Sequence, residues 1–149
     1  MLWGIDPLLD ADLLYALRRM GHGDEIAIVD ANFPASSTAS STVTGQPIPM
    51  SGVSAARAVE AVLSVMPLDS FVPDPACVMQ VVGDPAAVPP VCEQMNRVLA
   101  EHGQKPATSV ERHAFYAAAE SAYAIVRTGE RRFYGNILLT KGVIPPESA

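Results

Sequence analysis

Met20-Gly21-His22-Gly23-Asp24-Glu25-Ile26-Ala27-Ile28-Val29-Asp30 joins the end of a helical pattern to a short apolar run. Ile26 to Val29 reads as a buried strand, and Asp30 falls at its carboxyl end. In open α/β sheets ligands collect at the carboxyl ends of strands. The two glycines around His22 leave the backbone free to turn sharply and let a ligand approach the ring. A titratable imidazole and a carboxylate therefore flank one strand, where a small polar ligand could sit.

Upstream, Asp10 to Gly21 has the marks of a helix. Asp10 can cap it, Gly21 is placed just past its end, and Leu13, Leu14, Leu17 and Met20 share one apolar face. Arg18 and Arg19 suit the negative end of its dipole. Downstream, residues 31–56 contain no charged side chain, a Ser/Thr run from Ser36 to Thr42, and Pro34, Pro47 and Pro49. Such composition fits a linker. Its place directly after Asp30 favours an ordered active-site or interface loop. Ser54–Met66 predicts a second helix, stopped by Pro67. Cys77–Val82 predicts a strand, Pro90–His102 a third helix, Thr108–Glu111 a short strand, and Arg112–Ala122 a fourth helix. Tyr123–Arg127 and Gly135–Leu139 predict the last strands. Helices alternate with strands, so the class is α/β: one domain over residues 1–149, a sheet flanked by helices.

The chain has 149 residues, 49% of them hydrophobic and only 17% charged. Mean hydropathy is +0.20. No apolar run approaches the ~18 residues that span a bilayer. Either a subunit interface takes up the extra apolar surface, or the chain is simply rich in Ala and Val. Net charge is −6, and the basic residues are scattered apart from Arg18-Arg19 and Arg131-Arg132. That pattern offers no footprint for nucleic acid. The first residues lack a basic segment and a cleavage site, so a cytoplasmic protein is expected. Cys77 and Cys92 have no metal-binding or CxxC spacing and read as small buried hydrophobes.

His102 lies in the last turn of a helix, where its charge suits the dipole. His113 follows Arg112 and is ambiguous. His22 stands apart because of its glycines and the nearby Asp24, Glu25 and Asp30. Phosphate-loop, dinucleotide, zinc-protease and serine-hydrolase motifs are all missing, and no His, Cys and Asp set has metal spacing. No cofactor and no metal are therefore expected, and chemistry limited to proton transfer remains. Tyr134-Gly135-Asn136 places a phenol and an amide beside a flexible backbone. This suits recognition of hydroxyl groups, although on these residues alone a plain turn is the stronger reading.

The chain resembles the family of sugar mutarotases that contains L-fucose mutarotase and D-ribose pyranase. The resemblance rests on separated motifs in order: Gly21 to Ile26, Asp30-Ala31-Asn32-Phe33-Pro34, Leu68-Asp69-Ser70-Phe71, Arg112 with Ala114-Phe115-Tyr116, Thr128-Gly129-Glu130 and Tyr134-Gly135-Asn136. Gly23, Asn32-Phe33-Pro34 and Gly135 are similar to the fucose branch, whereas Ser36–Thr44 departs from it. The resemblance implies an isomerase that interconverts anomers of L-fucose or a similar monosaccharide without a cofactor. His22 would be the proton donor. Asp30, Arg112, Tyr134, Gly135 and Asn136 would bind sugar hydroxyls, with Tyr123 near the same site. It also implies a closed ring, a decamer or octamer, in which the C-terminal segment reaches a neighbour's pocket. A ribose pyranase and a non-catalytic sugar-binding module are the alternatives.

Overall fold

The apolar run after His22 becomes the third strand of a six-stranded sheet. The computed structural model describes residues 1–148. Strands β1 (Glu25–Val29), β2 (Ile48–Met50), β3 (Ala76–Met79), β4 (Thr108–Val110), β5 (Ala124–Thr128) and β6 (Ile137–Thr140) take the order β2-β5-β1-β6-β3-β4. β1 pairs in parallel with β5, and β5 with β2; β3 pairs in parallel with β4. β6 alone runs antiparallel, wedged between β1 and β3. The start of β6 therefore lies at the same sheet end as the carboxyl ends of the other strands.

Side chains alternate across β1 and feed two cores. Ile26 and Ile28 pack with Leu13, Leu17, Val59, Val62, Met95 and Leu99 from α1 (Ala11–Arg19), α3 (Ala55–Leu63) and α4 (Pro90–Glu101). Ala27 and Val29 pack on the other face with Ala35, Ala39, Phe115 and Ala119 from α2 (Ala35–Ala39) and α5 (Arg112–Glu120). Residues buried on both faces explain why β1 reads as a continuous apolar run.

Asp10 caps α1, its side chain accepting from the Leu13 N–H at 2.9 Å. The helix end differs from the expected glycine cap. Met20 leaves in an extended conformation, with ψ 137°. Gly23, at φ 86°, is the left-handed residue, while Gly21 donates its N–H to Asp24 Oδ2 at 2.7 Å. The uncharged stretch 31–56 is ordered, and holds two elements its pattern concealed, α2 and β2. Strand β3 stops at Met79 instead of Val82: the Gln80 N–H still bonds to Val110 O at 2.8 Å, but β4 ends at Val110 and offers no further partner.

Candidate active site

The carboxyl end of the sheet gathers four of the expected residues. Asp30 follows β1, Arg112 opens α5 after β4, and Tyr134 and Asn136 precede β6. With Asn32, Phe33, Met79, Tyr116 and Phe133 they line an open cavity of about 210 Å³. Asp30 is 4% exposed. Its Oδ1 accepts from the N–H groups of Asn32 and Phe33 at 3.0 and 2.9 Å, turning the chain out of the strand. The Asn136 carboxamide, also buried, accepts from the Asp30 N–H at 2.9 Å. Burial pushes the Asp30 carboxyl above its ordinary range; bonds from Asn32, Phe33 and Asn136 oppose that rise.

Gly135 is the residue that lets these groups converge. A Cβ there would lie 2.7 Å from Glu130 Cγ and 3.5 Å from Asp30 Cβ. Tyr134 adopts φ 67°, an uncommon left-handed conformation for a residue with a side chain. Its hydroxyl accepts from the Val82 N–H at 3.2 Å. Strained backbone of this kind persists only where its surroundings hold it, and it gathers at binding sites. Behind it, Glu130 is 5% exposed and accepts from Arg132 Nε and Nη2, both at 2.9 Å. Its carboxylate also meets the Ala55 N–H at the start of α3, 3.3 Å away.

His22 is not in this cavity. It sits in the turn before β1, and Asp30 follows the strand. The five intervening strand residues alone span roughly 16 Å at ~3.3 Å per residue. His22 and Asp30 flank the strand in sequence but occupy opposite ends of it in space. His22 instead pairs with Asp69: Nε2 lies 3.0 Å from Asp69 Oδ2. Asp69 is 3% exposed against 47% for the imidazole. The Phe71 N–H, bonded to Asp69 Oδ1 at 2.9 Å, and then His22 hold the Asp69 carboxyl below its usual range. An ionised Asp69 can only accept, so the imidazole carries its proton on Nε2. Nδ1 is left for a ligand. The edge of the His22 ring also meets Phe71, with centroids 5.6 Å apart.

One expectation changes here. Tyr134 and Asn136 line the cavity with Asp30 and Arg112, but Tyr123 does not join them. It lines a separate groove of about 500 Å³ with Tyr15, Arg19 and Gln46, at the amino end of β5. That groove is larger, but most of its lining is exposed and it holds no acid–base pair. Asp69, Tyr116, Met79 and Phe133 were not singled out as site residues. Asp69 lies 47 positions from His22, and no local pattern links them. Among the described residues no cluster of His, Cys, Asp or Glu could hold a metal ion. Among those residues, too, no helix is long and apolar enough to cross a membrane.

A buried carboxylate, a carboxamide, a guanidinium and a phenol converge at the carboxyl end of a mixed sheet. Such a set defines a binder of small polyhydroxylated molecules. The chain belongs to the RbsD / FucU transport protein family, whose pattern it matches over residues 3–144. It is 41% identical over 152 residues to a fucose mutarotase of Bos taurus, covering 99% of this chain and 97% of that one. The crystal structure of the fucose mutarotase of Streptococcus pneumoniae in complex with L-fucose superposes with a TM-score of 0.87. It is 38% identical and is covered in full, against 97% of this chain. RbsD of Bacillus subtilis, solved with D-ribose, covers 97% of this chain and 99% of its own at a TM-score of 0.73. At 22% identity that likeness speaks for the fold alone.

Proposed function

We propose that this chain is a mutarotase that interconverts the α and β anomers of L-fucose or a closely similar monosaccharide. The observation that carries the reading is the His22–Asp69 pair: an exposed imidazole held in one tautomer by a buried, ionised carboxylate. A pyranose opens when its ring oxygen gains a proton and its anomeric hydroxyl loses one to water, which returns a proton to the acid for the next turnover. The aldehyde end then rotates, and the ring closes from the other face. Protonated at Nδ1, His22 would donate to the ring oxygen and retain its Nε2 proton on Asp69. Asp30, Asn136, Arg112 and Tyr134 would hold the hydroxyls. A positioned acid contributes ~10²–10⁴-fold, which suffices for a reaction that water already performs slowly.

The separation of His22 from the cavity supports an assembly. A single chain offers a binding cavity and, elsewhere, an acid; only a second copy can bring the two together. Phe71 beside His22 is 73% exposed, and Phe133 at the cavity rim is 75% exposed. Joining the His22 face of one copy to the cavity face of the next is a heterologous contact. Such contacts form a ring where the rotation closes. This reading agrees with the ring of eight or ten that the sequence resemblance implies. Free thiols at Cys77 and Cys92 fit a reducing, cytoplasmic setting.

Exchange NMR between anomers, run over L-fucose, L-galactose and D-ribose, tests the reading. Exchange above the buffer rate, fastest for L-fucose, is the expected result. Binding without acceleration would leave a sugar-binding module, and a preference for D-ribose would move the chain to the pyranase reading.

A further inference from the structure

We propose that Lys141 is a positioning residue for His22: its ammonium group locks the end of α1 so that the imidazole meets Asp69. The inference rests on the reading of His22 as the acid. Lys141 follows β6 and is half-buried between the two segments that make the pair. Its Nζ donates to Leu17 O at 2.7 Å and to Met20 O at 2.6 Å. These are carbonyls of the last turn of α1, which no left-handed glycine satisfies here. A cation on such carbonyls also suits the negative end of the helix dipole. Met20 is two residues from His22, so fixing its carbonyl fixes the entry to the catalytic turn.

The backbone of the same residue completes the clamp. Lys141 N–H donates to Asp24 O at 2.8 Å, and Lys141 O accepts from Gly23 N–H at 2.9 Å. On its other side Lys141 forms an antiparallel bridge with Leu68, and Asp69 N–H donates to Thr140 O at 3.0 Å. One short segment thus touches both partners' backbones. The backbone bonds set the distance between the two segments. The ammonium sets the angle at which the chain enters the His22 turn, and only this part is removed by substitution. Burial, then the charge of Arg18, lower the Lys141 pKa, with Asp24 opposing. The site therefore tolerates the cation because both carbonyls solvate it.

The test compares Lys141→Met with Lys141→Arg, which keeps donors and charge, and with Lys105→Met, whose ammonium pairs with Asp74 on the surface at 3.3 Å. Anomer exchange yields kcat and KM, and nitrogen-15 spectra of the imidazole report the tautomer and titration of His22. Lys141→Met should lower kcat by roughly 10- to 100-fold, the scale of a misplaced catalytic group. KM should stay within about twofold, because the cavity residues are untouched. The Nε2–H tautomer signature should fade. Lys141→Arg should recover most of the rate, and Lys105→Met should match the parent. In an Asp69→Asn background, Lys141→Met should add little further loss, since both act through one contact.

An unchanged kcat and an unchanged His22 spectrum in folded Lys141→Met would overturn the proposal, as would full additivity with Asp69→Asn. If Lys141→Met does not fold, Lys141→Gln carries the same readouts. His22→Ala is measured alongside. Retained exchange in that variant would remove the acid assignment, while the imidazole spectra of Lys141→Met would still decide the geometric claim.

Discussion

At the scale of single residues, the two carboxylates near the chemistry have opposite tasks. Asp69 is held ionised by the Phe71 N–H and by His22, and so fixes the imidazole tautomer. Asp30 is pushed upward by burial, and its Oδ1 accepts from the Asn32 and Phe33 N–H groups at the cavity wall. His22→Ala should therefore reduce anomer exchange by ~10²-fold or more, as for loss of a general acid. Asp69→Asn, which can present its amide N–H to Nε2 and reverse the tautomer, should lose a large part of that rate while sugar binding persists. Exchange NMR and a binding titration on both variants check this; a folded Asp69→Asn protein with full activity would sink the tautomer argument. Phe33 bears on which sugar is preferred. It is buried, with its ring 6.1 Å from Phe115 and 5.4 Å from Tyr116, and it lines the cavity as well. A deoxy-sugar methyl packed against this aromatic wall gains about 0.8 kcal/mol, a roughly fourfold preference for L-fucose over L-galactose. Competition in the exchange assay measures that ratio. A ratio below one would mean that the cavity hydrogen-bonds the extra hydroxyl instead.

At the scale of elements, the cavity depends on how Glu130 ties β5, α3 and the Tyr134 turn together. Hydrogen bonding to Arg132 leads the causes that lower the Glu130 pKa from 4.5 to about 2. The sign follows from the direction. Stability from this group is fully present above pH 4.5 and is lost as pH falls from there toward 2. Arg132 is 41% exposed, so solvent screening reduces the contribution to on the order of 2 kcal/mol. Asp30 works the other way, since protonating it relieves a buried charge. Glu130→Gln should therefore be less stable than the parent at pH 7 and nearly equal to it near pH 2. Urea denaturation at the two pH values reads the difference, and equal gaps at both would refute it. This scale also shows what the sequence made legible. Helix α1 announces itself through Asp10 and its apolar spacing, and β1 through its unbroken apolar run. Helix α2 has five residues and no charged face, and β2 has three residues with Pro49 in the middle, which only an edge strand tolerates. Such short elements owe their form to tertiary packing, so no periodicity betrays them. Tyr134 and Asn136 were legible as polar types beside Gly135 and Asp30 as a carboxylate at a strand end, whereas Arg112 came only through the family resemblance. The His22–Asp69 pair was not legible, because chain folding alone brings it together.

At the scale of the whole molecule, the proposed role of His22 calls for a second copy of the chain. His22 lies before β1 and Asp30 after it, so no side-chain rotation within one chain can unite them. Truncating the chain from residue 133 onward cannot probe this, because it removes β6 from the middle of the sheet and with it the fold. Complementation probes it directly. His22→Ala lacks the acid but keeps an intact cavity; Asn136→Ala keeps the acid but loses the carboxamide that supports Asp30. Each variant alone should be nearly inactive. Unfolded together and refolded as a mixture, they should form rings in which some interfaces join an intact His22 to an intact cavity. With random mixing about a quarter of the interfaces would be of this kind, so roughly a quarter of the parent activity should return. Light scattering should show a mass many times 15.7 kDa for the parent and for both variants. If each site were built within one chain, mixing would restore nothing, because every chain would still carry its own defect. A fully active monomer at high dilution would reject the shared site from the other direction.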